Sequence, residues 1–243
     1  KAVLVETPTN PLLKITDLEA VAGITQDKGI LLMVDNTFLS PYFLKPLNLG
    51  ADIVVHSATK YLGGHSDLLA GVVVVRDPDL AARIHFLQNA TGGTLGAFDS
   101  WLLIRGIRTL ALRMEAHQAN AMAIASWLQE QPQVSRVLFP GLPDHPGHEI
   151  MRRQATGFGG MVSFEVAPNL ADRLLRRVNI IALAESLGGV ESLINLPSKM
   201  THASVPPARR EDLGITDGLV RISAGIEDAG DLIEDLRQAM SDE

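Results

Sequence analysis

Four residues with reactive side chains stand directly after two strand-like runs in the first part of the chain. The first run leads into two hydroxyls and an amine, which belong to Ser57, Thr59 and Lys60. The second run ends in the carboxylate of Asp35. In an α/β sheet, the loops just beyond the strand ends carry the chemistry. We therefore expect these four side chains to meet at one edge of a sheet.

The types of these side chains indicate a particular chemistry. A carboxylate that ends a buried strand needs a cationic or hydrogen-bond-donating partner, and a protonated pyridine nitrogen is one such partner. Pyridoxal chemistry uses this pairing, because a protonated ring accepts the electrons of a carbanion. A lysine amine can form the Schiff base and, with a lowered pKa, remove a proton. Taken singly, Lys60 can equally be a surface lysine, and Asp35 a capping or turn residue.

The elements that must position these residues follow an α/β pattern. Short β-branched runs alternate with helical patterns, which predicts a mostly parallel sheet with crossover helices. Thr16 and Glu19 form a possible capping box for a helix that runs to about Lys28. The apolar runs predict a sheet that is buried on both faces. The predicted strands are Ala2 to Val5, Ile30 to Val34, Ile53 to Val55 and Val72 to Val75.

The second part of the chain has a different pattern. The stretch from Phe98 to Leu128 is rich in Ala, Leu and Met and lacks Pro, which predicts one long helix, capped by Asp99 or Ser100, that bridges two domains. After Pro132, short strands and amphipathic segments predict a smaller α+β domain. We place the large domain at residues 1–112 and the smaller one at residues 113–243. The later strands are predicted at Val134 to Leu138, Met161 to Val166, Ile180 to Leu183 and Leu219 to Ser223.

Composition excludes several classes of function. The formal net charge of -7 at pH 7 argues against nucleic acid as a partner, since phosphate binding needs clustered Lys and Arg. The chain has no cysteine, which excludes disulfides, thiolate metal sites and a cysteine nucleophile, and the cytoplasm is the default location. The longest apolar stretch, Leu68 to Val75, is far shorter than the roughly 20 residues of a membrane-spanning helix. We expect a buried strand there at most, and no membrane partner.

One cluster of possible metal ligands is formed by His145, His148 and Glu149. These residues lie in a segment with Pro and Gly and lack the two-histidine spacing of a site on one helix face. A loop is therefore favoured, and no metal site is predicted.

Seven short motifs occur in order along the chain and together carry a specific resemblance. The chain resembles the cystathionine γ-lyase and γ-synthase family of fold-type-I pyridoxal-phosphate enzymes over essentially all of its 243 residues. It begins at Lys1 on an apolar run typical of the middle of a domain, so we expect it to be the C-terminal portion of such an enzyme, without the N-terminal segment. The motifs are Glu6 to Pro11, Val34 to Phe38, Ser57 to Tyr61, Gly64 to Asp67, Ala184 to Gly189, Met200 to Ser204 and Arg221 to Ser223.

The resemblance implies a role for each residue of the cofactor site, with pyridoxal 5'-phosphate as the cofactor. Lys60 matches the catalytic Schiff-base lysine, and Asp35 matches the partner of the pyridine nitrogen. Ser57 and Thr59 match the hydroxyls that bind the phosphate. Asn10 matches an asparagine that contacts both the cofactor and the substrate carboxylate; from its position alone it would be a turn residue before proline.

The resemblance also implies substrate-binding residues. Arg221 and Ser186 match the groups that hold the substrate α-carboxylate, a task that suits the planar fork of arginine. Glu185 and Thr201 resemble the distal substrate contacts that vary among family members. A carboxylate at Glu185 favours cystathionine-type substrates cleaved at the γ-carbon, although a solvated loop glutamate is the plainer alternative.

The implied reaction is γ-elimination on cystathionine or a related sulfur amino acid. Cystathionine γ-synthase is the first alternative, followed by cystathionine β-lyase, methionine γ-lyase and sulfhydrylase. The resemblance also implies a homotetramer built from dimers that share active sites. A different class of hypothesis is an inactive fragment that binds the cofactor weakly and exposes apolar surface.

Overall fold

The computed structural model describes residues 1–241, which form two sheets with helices packed against them. The first sheet has the order β1-β2-β3-β4. Strands β1, β2 and β3 run parallel, while β4 is antiparallel to β3. The prediction of a mostly parallel α/β sheet is therefore confirmed. The strands are β1 (Ala2–Glu6), β2 (Leu31–Asp35), β3 (Ile53–Ser57) and β4 (Gly71–Val75).

The crossover between β1 and β2 contains helix α1 (Leu18–Asp27). Its cap is Asp17, whose side chain accepts a hydrogen bond from the backbone N–H of Ala20 at 3.2 Å. The predicted cap at Thr16 is wrong by one residue, because the backbone N–H of Thr16 is instead held by the hydroxyl of Thr7 at 3.1 Å. The next helix, α2 (Ser40–Phe43), and a short 3-10 helix (Pro46–Leu49) connect β2 to β3.

The prediction that the whole sheet is buried on both faces is wrong for its outer strands. Leu4 on β1 is 64% exposed, and Val73 on β4 is 49% exposed. These two strands form the edges of the sheet, whereas the inner strands β2 and β3 carry buried side chains such as Val34 and Val54. The strand predicted at Val72 to Val75 is present as β4, which begins one residue earlier, at Gly71, while Leu69 before it is exposed.

The predicted long helix is two helices, α4 (Ala97–Arg108) and α5 (Leu110–Gln129), after a preceding helix α3 (Pro78–Thr91). The cap of α4 is Gly96 rather than Asp99 or Ser100. The break falls at Thr109, whose hydroxyl donates to the carbonyl oxygen of Gly106 at 3.1 Å. That side-chain bond competes with the helical ladder and favours an end to α4.

The second sheet has the order β5-β6-β9-β8-β7 and is antiparallel apart from the β7–β8 pair. It forms an α+β arrangement, as predicted. The sequence did not indicate β8, which is only three residues long. The strands are β5 (Arg136–Leu138), β6 (Met161–Glu165), β7 (Ala182–Leu183), β8 (Leu193–Asn195) and β9 (Leu219–Ser223). The helices are α6 (His148–Gln154), α7 (Pro168–Arg177), α8 (Pro207–Leu213) and α9 (Ala229–Met240).

Helix α5 joins the two cores of the protein. Its first turns place Leu110 and Met114 in the core under the first sheet. Further along, Ile124 and Leu128 pack in the second core, with α7, α9 and the second sheet. The division at residue 112 stays a prediction. No helix within residues 1–241 combines the length and the apolar character needed to span a membrane.

Candidate active site

The ends of the three parallel strands bring most of the predicted cofactor residues together. In the register of the first sheet, Glu6 lies beside Asp35, and Asp35 lies beside Val55. Ser57 ends β3 two residues later. The loop after β1 carries Asn10. Since β1, β2 and β3 run parallel, their carboxyl ends meet at one edge, as the sequence predicted.

The carboxylate of Asp35 is held from one side. Its Oδ1 accepts a hydrogen bond from the backbone N–H of Thr37 at 3.0 Å and another from the hydroxyl of Thr37 at 2.6 Å. Oδ2 accepts none from any residue between 1 and 241. The Thr37 hydroxyl oxygen in turn accepts from the backbone N–H of Ser57 at 2.9 Å. Asp35 therefore has one oxygen available to accept from a donor such as a protonated ring nitrogen.

The amine of Lys60 is half-buried and donates to the Ser186 hydroxyl at 3.1 Å. Burial lowers the pKa of this amine, and the positive charge of Arg221 lowers it further. Both effects favour the neutral amine, the form that can attack a carbonyl or accept a proton.

The two hydroxyls beside Lys60 differ in how they are engaged. The Thr59 hydroxyl oxygen accepts from the backbone N–H of Ala70 at 3.0 Å, and the hydroxyl reaches the Ala70 carbonyl oxygen at 3.3 Å. The Ser57 hydroxyl has no hydrogen bond to another described residue. Ser57 is therefore free to donate to a phosphate. Thr59 would first have to give up its 3.3 Å hydrogen bond to the Ala70 carbonyl and could then donate to the phosphate instead.

Arg221 is the largest of the fully buried side chains, at 1% exposure. One guanidinium nitrogen, Nη1, donates to Oδ1 of Asn10 at 2.9 Å. The other, Nη2, donates to the carbonyl oxygens of Glu185 at 2.7 Å and Ser186 at 3.1 Å. Its Nε is buried without a partner in residues 1–241. Burial lowers the pKa of Arg221 to about 10, since these partners are neutral oxygens.

Ser186 is the residue that joins the Lys60 amine and the Arg221 guanidinium. Its hydroxyl accepts from Lys60, and its carbonyl accepts from Arg221. Glu185 is exposed beside it. The predicted distal residue Thr201 is not joined to this group by a hydrogen bond; its hydroxyl bonds to Nδ1 of His202 at 2.9 Å.

Two residues support the site although the sequence predicted no role for them, namely Glu6 and Gly188. Oε2 of Glu6 accepts from the backbone N–H of Asn10 at 3.2 Å, and burial raises the pKa of this carboxyl group. A Cβ at Gly188 would lie 2.8 Å from the backbone nitrogen of Tyr61, so only glycine allows the Ser186 loop to approach Lys60 this closely. Each of these residues lies within a quoted motif, which was the signal available.

The histidines of the rejected metal cluster bind backbone oxygens. The His145 ring meets the carbonyl of Leu13 at 2.9 Å, and the His148 ring meets the carbonyl of Pro140 at 2.8 Å. No group of three or more candidate metal ligands is present in residues 1–241.

Comparison with known proteins adds an independent observation. A family model described as Cys/Met metabolism PLP-dependent enzyme matches residues 1–241. The chain is 58% identical to a cystathionine γ-lyase of Bacillus subtilis (strain 168) over 241 residues, which are 99% of this chain and 64% of that protein. It is 54% identical to a cystathionine β-lyase of Lactococcus lactis subsp. cremoris (strain MG1363), covering 99% of this chain and 63% of that protein.

A solved structure has the same fold. The cystathionine γ-synthase of Xanthomonas oryzae pv. oryzae, solved in complex with cystathionine, superposes with a TM-score of 0.96 at 50% identity. The match covers 99% of this chain and 62% of that chain. The chain thus spans a little less than two thirds of the length of the relatives it matches.

Proposed function

Because the chain belongs to the Cys/Met metabolism PLP-dependent enzyme family, we propose that it catalyses γ-elimination on cystathionine or a related sulfur amino acid. One observation carries this proposal: Ser186 holds the amine of Lys60 through its hydroxyl and the guanidinium of Arg221 through its carbonyl. An α-amino acid needs a proton acceptor near its Cα and a cation for its carboxylate, and this loop brings the two together.

Five residues would hold pyridoxal 5'-phosphate. Lys60 would carry it on Nζ, and Oδ2 of Asp35 would accept from its ring nitrogen. The hydroxyls of Ser57 and Thr59 would bind the phosphate, and Asn10 would contact the ring edge. The donor set fits, because it offers a neutral amine, an available carboxylate oxygen and a hydroxyl without a partner in the described chain. When bound, pyridoxal phosphate supplies a ring that accepts the electrons of a carbanion at Cα.

Lys60 would then move the protons of the reaction. Its lowered pKa means that Nζ is neutral in a larger fraction of molecules than for an exposed lysine. Nζ can therefore take the proton from Cα of the substrate and afterwards move a proton at Cβ before the γ-substituent departs. The Ser186 hydroxyl orients the amine during this work.

Arg221 and Glu185 would set which substrates bind. The buried guanidinium of Arg221 would donate two hydrogen bonds to the α-carboxylate, while Asn10 and the Ser186 loop hold the guanidinium in place. Glu185 is exposed beside this position and would attract the distal ammonium group of cystathionine. Thr201 would approach the same end of the substrate.

Products decide between the candidate reactions. The chain should be incubated with pyridoxal phosphate and cystathionine, with Lys60→Ala as the inactive control. Cysteine and 2-oxobutanoate support γ-elimination, whereas homocysteine and pyruvate indicate the β-lyase reaction. Formation of cystathionine from cysteine and an activated homoserine ester would favour the γ-synthase reaction. The cystathionine γ-synthase of Xanthomonas oryzae is 50% identical to this chain. No visible absorbance band with added cofactor would identify an inactive fragment.

We further propose a cytoplasmic homotetramer as the working form. Helices α3 and α4 support association, because they expose Phe86, Phe98 and Trp101, each more than half exposed to solvent. Apolar patches of this kind mark interfaces in oligomeric proteins.

A further inference from the structure

We propose that Thr37 is a positioning residue that fixes the Asp35 carboxylate for a ring nitrogen and links it to the Ser57 end of the site. This inference rests on the proposed function. It concerns a residue in direct contact with Asp35, and it gives the hydroxyl of Thr37 a task that the backbone alone cannot perform.

Thr37 restricts the orientation of the Asp35 carboxylate. A carboxylate can rotate about its terminal bond, and either oxygen could then face a ligand. Thr37 donates to the same oxygen, Oδ1, from its backbone N–H and from its hydroxyl. Two donors on one oxygen prevent the carboxylate from rotating. They leave Oδ2 as the atom that can accept a hydrogen bond from a ligand.

The Thr37 hydroxyl takes part in two hydrogen bonds, once as donor and once as acceptor. Its proton points to Asp35, and its oxygen accepts from the backbone N–H of Ser57 at 2.9 Å. A hydroxyl that both donates and accepts has a fixed orientation. The hydroxyl therefore ties the end of β2 to the end of β3, 20 residues apart along the chain. Under the proposed function, these are the ring-nitrogen end and the phosphate end of one cofactor.

The neighbouring titratable groups make a defined charge on Asp35 more important. Glu6 lies beside Asp35 in the sheet, and burial together with the Asp35 charge raises the pKa of Glu6. His56 lies on β3 and also responds to the Asp35 charge, although burial lowers its pKa overall. Burial therefore favours the neutral form of Glu6, while both donors of Thr37 are directed at Asp35.

A purely structural role would be an Asx turn, in which the Asp35 side chain accepts only the backbone N–H two residues later. Thr37→Val keeps that N–H and the branched shape but removes the hydroxyl. Thr37→Ser restores the hydroxyl. Thr91→Val is the matched control, because the Thr91 hydroxyl bonds to a helical carbonyl at an exposed position in α3.

The experiment uses the whole chain and two measurements. Pyridoxal phosphate labelled with ¹⁵N in the ring reports by NMR where the ring proton lies, and equilibrium dialysis gives its Kd. Thr37→Val should weaken binding about tenfold to a hundredfold and shift the ring nitrogen resonance toward the unprotonated form. Thr37→Ser and Thr91→Val should behave like the wild type. A loss of thermal stability without a change in the resonance would show a structural role and overturn the inference.

Hydrogen exchange of the Ser57 amide without cofactor provides a readout that does not depend on binding. Thr37→Val should accelerate this exchange, and Thr37→Ser should restore the slow rate. If the wild type binds the cofactor but Thr37→Val matches it in Kd, resonance and exchange, the Thr37 inference is overturned and the proposed function stands. If the wild type binds no pyridoxal phosphate, the proposed function fails for this chain and the cofactor-directed role of Thr37 fails with it.

Discussion

Arg221 is buried among neutral oxygens, which is a costly position for a cation. Among the described residues, Arg221 donates hydrogen bonds to the Asn10 side-chain oxygen and to two loop carbonyls but forms no ion pair, and one guanidinium nitrogen remains without a partner. A buried charge is normally paired, since desolvation costs several kcal/mol. An incoming carboxylate would supply the missing negative charge.

Replacing Arg221 with lysine should therefore damage substrate binding. Lysine keeps a positive charge but cannot make the bidentate contact, so we expect KM for cystathionine to rise about 10- to 100-fold, with a smaller fall in kcat. Steady-state kinetics on the product 2-oxobutanoate measures both parameters. Arg136→Lys is the control, because Arg136 makes only a half-exposed ion pair with Glu165 at 3.1 Å and should leave KM unchanged. An unchanged KM in Arg221→Lys would refute the carboxylate role.

The parts of the site that could be predicted are those that the local pattern fixes. Lys60 and Asp35 follow strand-like runs, and the edge of a parallel sheet then brings them together whatever the rest of the chain does. Thr37 could not be assigned in the same way. Its role depends on the orientation of its hydroxyl toward Ser57, which becomes visible only when the register of β2 and β3 is known.

At the scale of elements, helix α5 is linked by hydrogen bonds from Arg113 to the backbone next to Lys60. This side chain is 4% exposed and donates to the carbonyl oxygens of Tyr61 at 2.7 Å and Gly106 at 2.8 Å. Gly106 lies in the last turn of α4, where carbonyls lack helical partners and the helix dipole favours a cation. A Cβ at Gly64 would lie 2.1 Å from Nη1 of Arg113, so the turn after Lys60 needs glycine there.

Arg113→Met should lower the free energy of unfolding by about 2–5 kcal/mol, because it removes the buried hydrogen bonds to the Tyr61 and Gly106 carbonyls, and Arg113 gives Tyr61 a side-chain donor that bridges it to α5. Urea denaturation followed by circular dichroism measures this change. Arg105→Met is the control, since Arg105 is exposed on α4 and the substitution should change stability by less than about 0.5 kcal/mol. A stability loss as small as that of the control would show that the buried bonds contribute little.

The same helix contains a histidine that should make stability depend on pH. His117 is fully buried, its Nδ1 lies 2.7 Å from the Ala224 carbonyl, and burial lowers its pKa to about 4. The unfolded chain binds a proton at this residue below pH 6.5, whereas the folded chain does not until about pH 4. The His117 contribution to stability is therefore intact above pH 6.5 and is lost progressively as pH falls from 6.5 to 4.

This contribution should amount to about 3 kcal/mol across the pH window. Urea denaturation of the wild type and His117→Gln at several pH values measures it, and the variant should show a shallower loss of stability toward acid. His85→Gln is the matched control, because His85 is exposed on α3 and its replacement should preserve the wild-type slope. Equal slopes in His117→Gln and the wild type would contradict the prediction.

The arrangement of the elements was only partly accessible from composition and periodicity. The bounds of β9 were predicted correctly, because its apolar residues flank Arg221 in a short run that is buried along its whole length. The break between α4 and α5 was missed, since it arises from local side-chain hydrogen bonds of Thr109 and Arg113 to the Gly106 carbonyl rather than from a proline or a loop composition. Edge strand β1 was predicted as buried because an apolar run alone does not tell an inner strand from an outer one.

At the scale of the whole molecule, a large apolar surface faces solvent on α4. Phe98 is 69% exposed and stacks on Trp101, which is 56% exposed. Leu112, at the start of α5, is 77% exposed. Exposed to water, these apolar side chains do not stabilise a monomer. Burying each of them against a second copy would contribute about 2 kcal/mol to the free energy of association.

Substitution on this surface should therefore dissociate the assembly. The wild type is expected to sediment as a multiple of 26.2 kDa, and the double variant Phe98→Glu with Trp101→Glu should shift toward the mass of a single chain. Losing two buried aromatic side chains and burying two carboxylates should weaken association at least about a hundredfold. Ile24→Glu is the control, since Ile24 is 59% exposed on α1, away from α4 in the sequence. A wild type that sediments as a single chain at micromolar concentration would refute the homotetramer, because exposed apolar surface would then have no partner in a second copy.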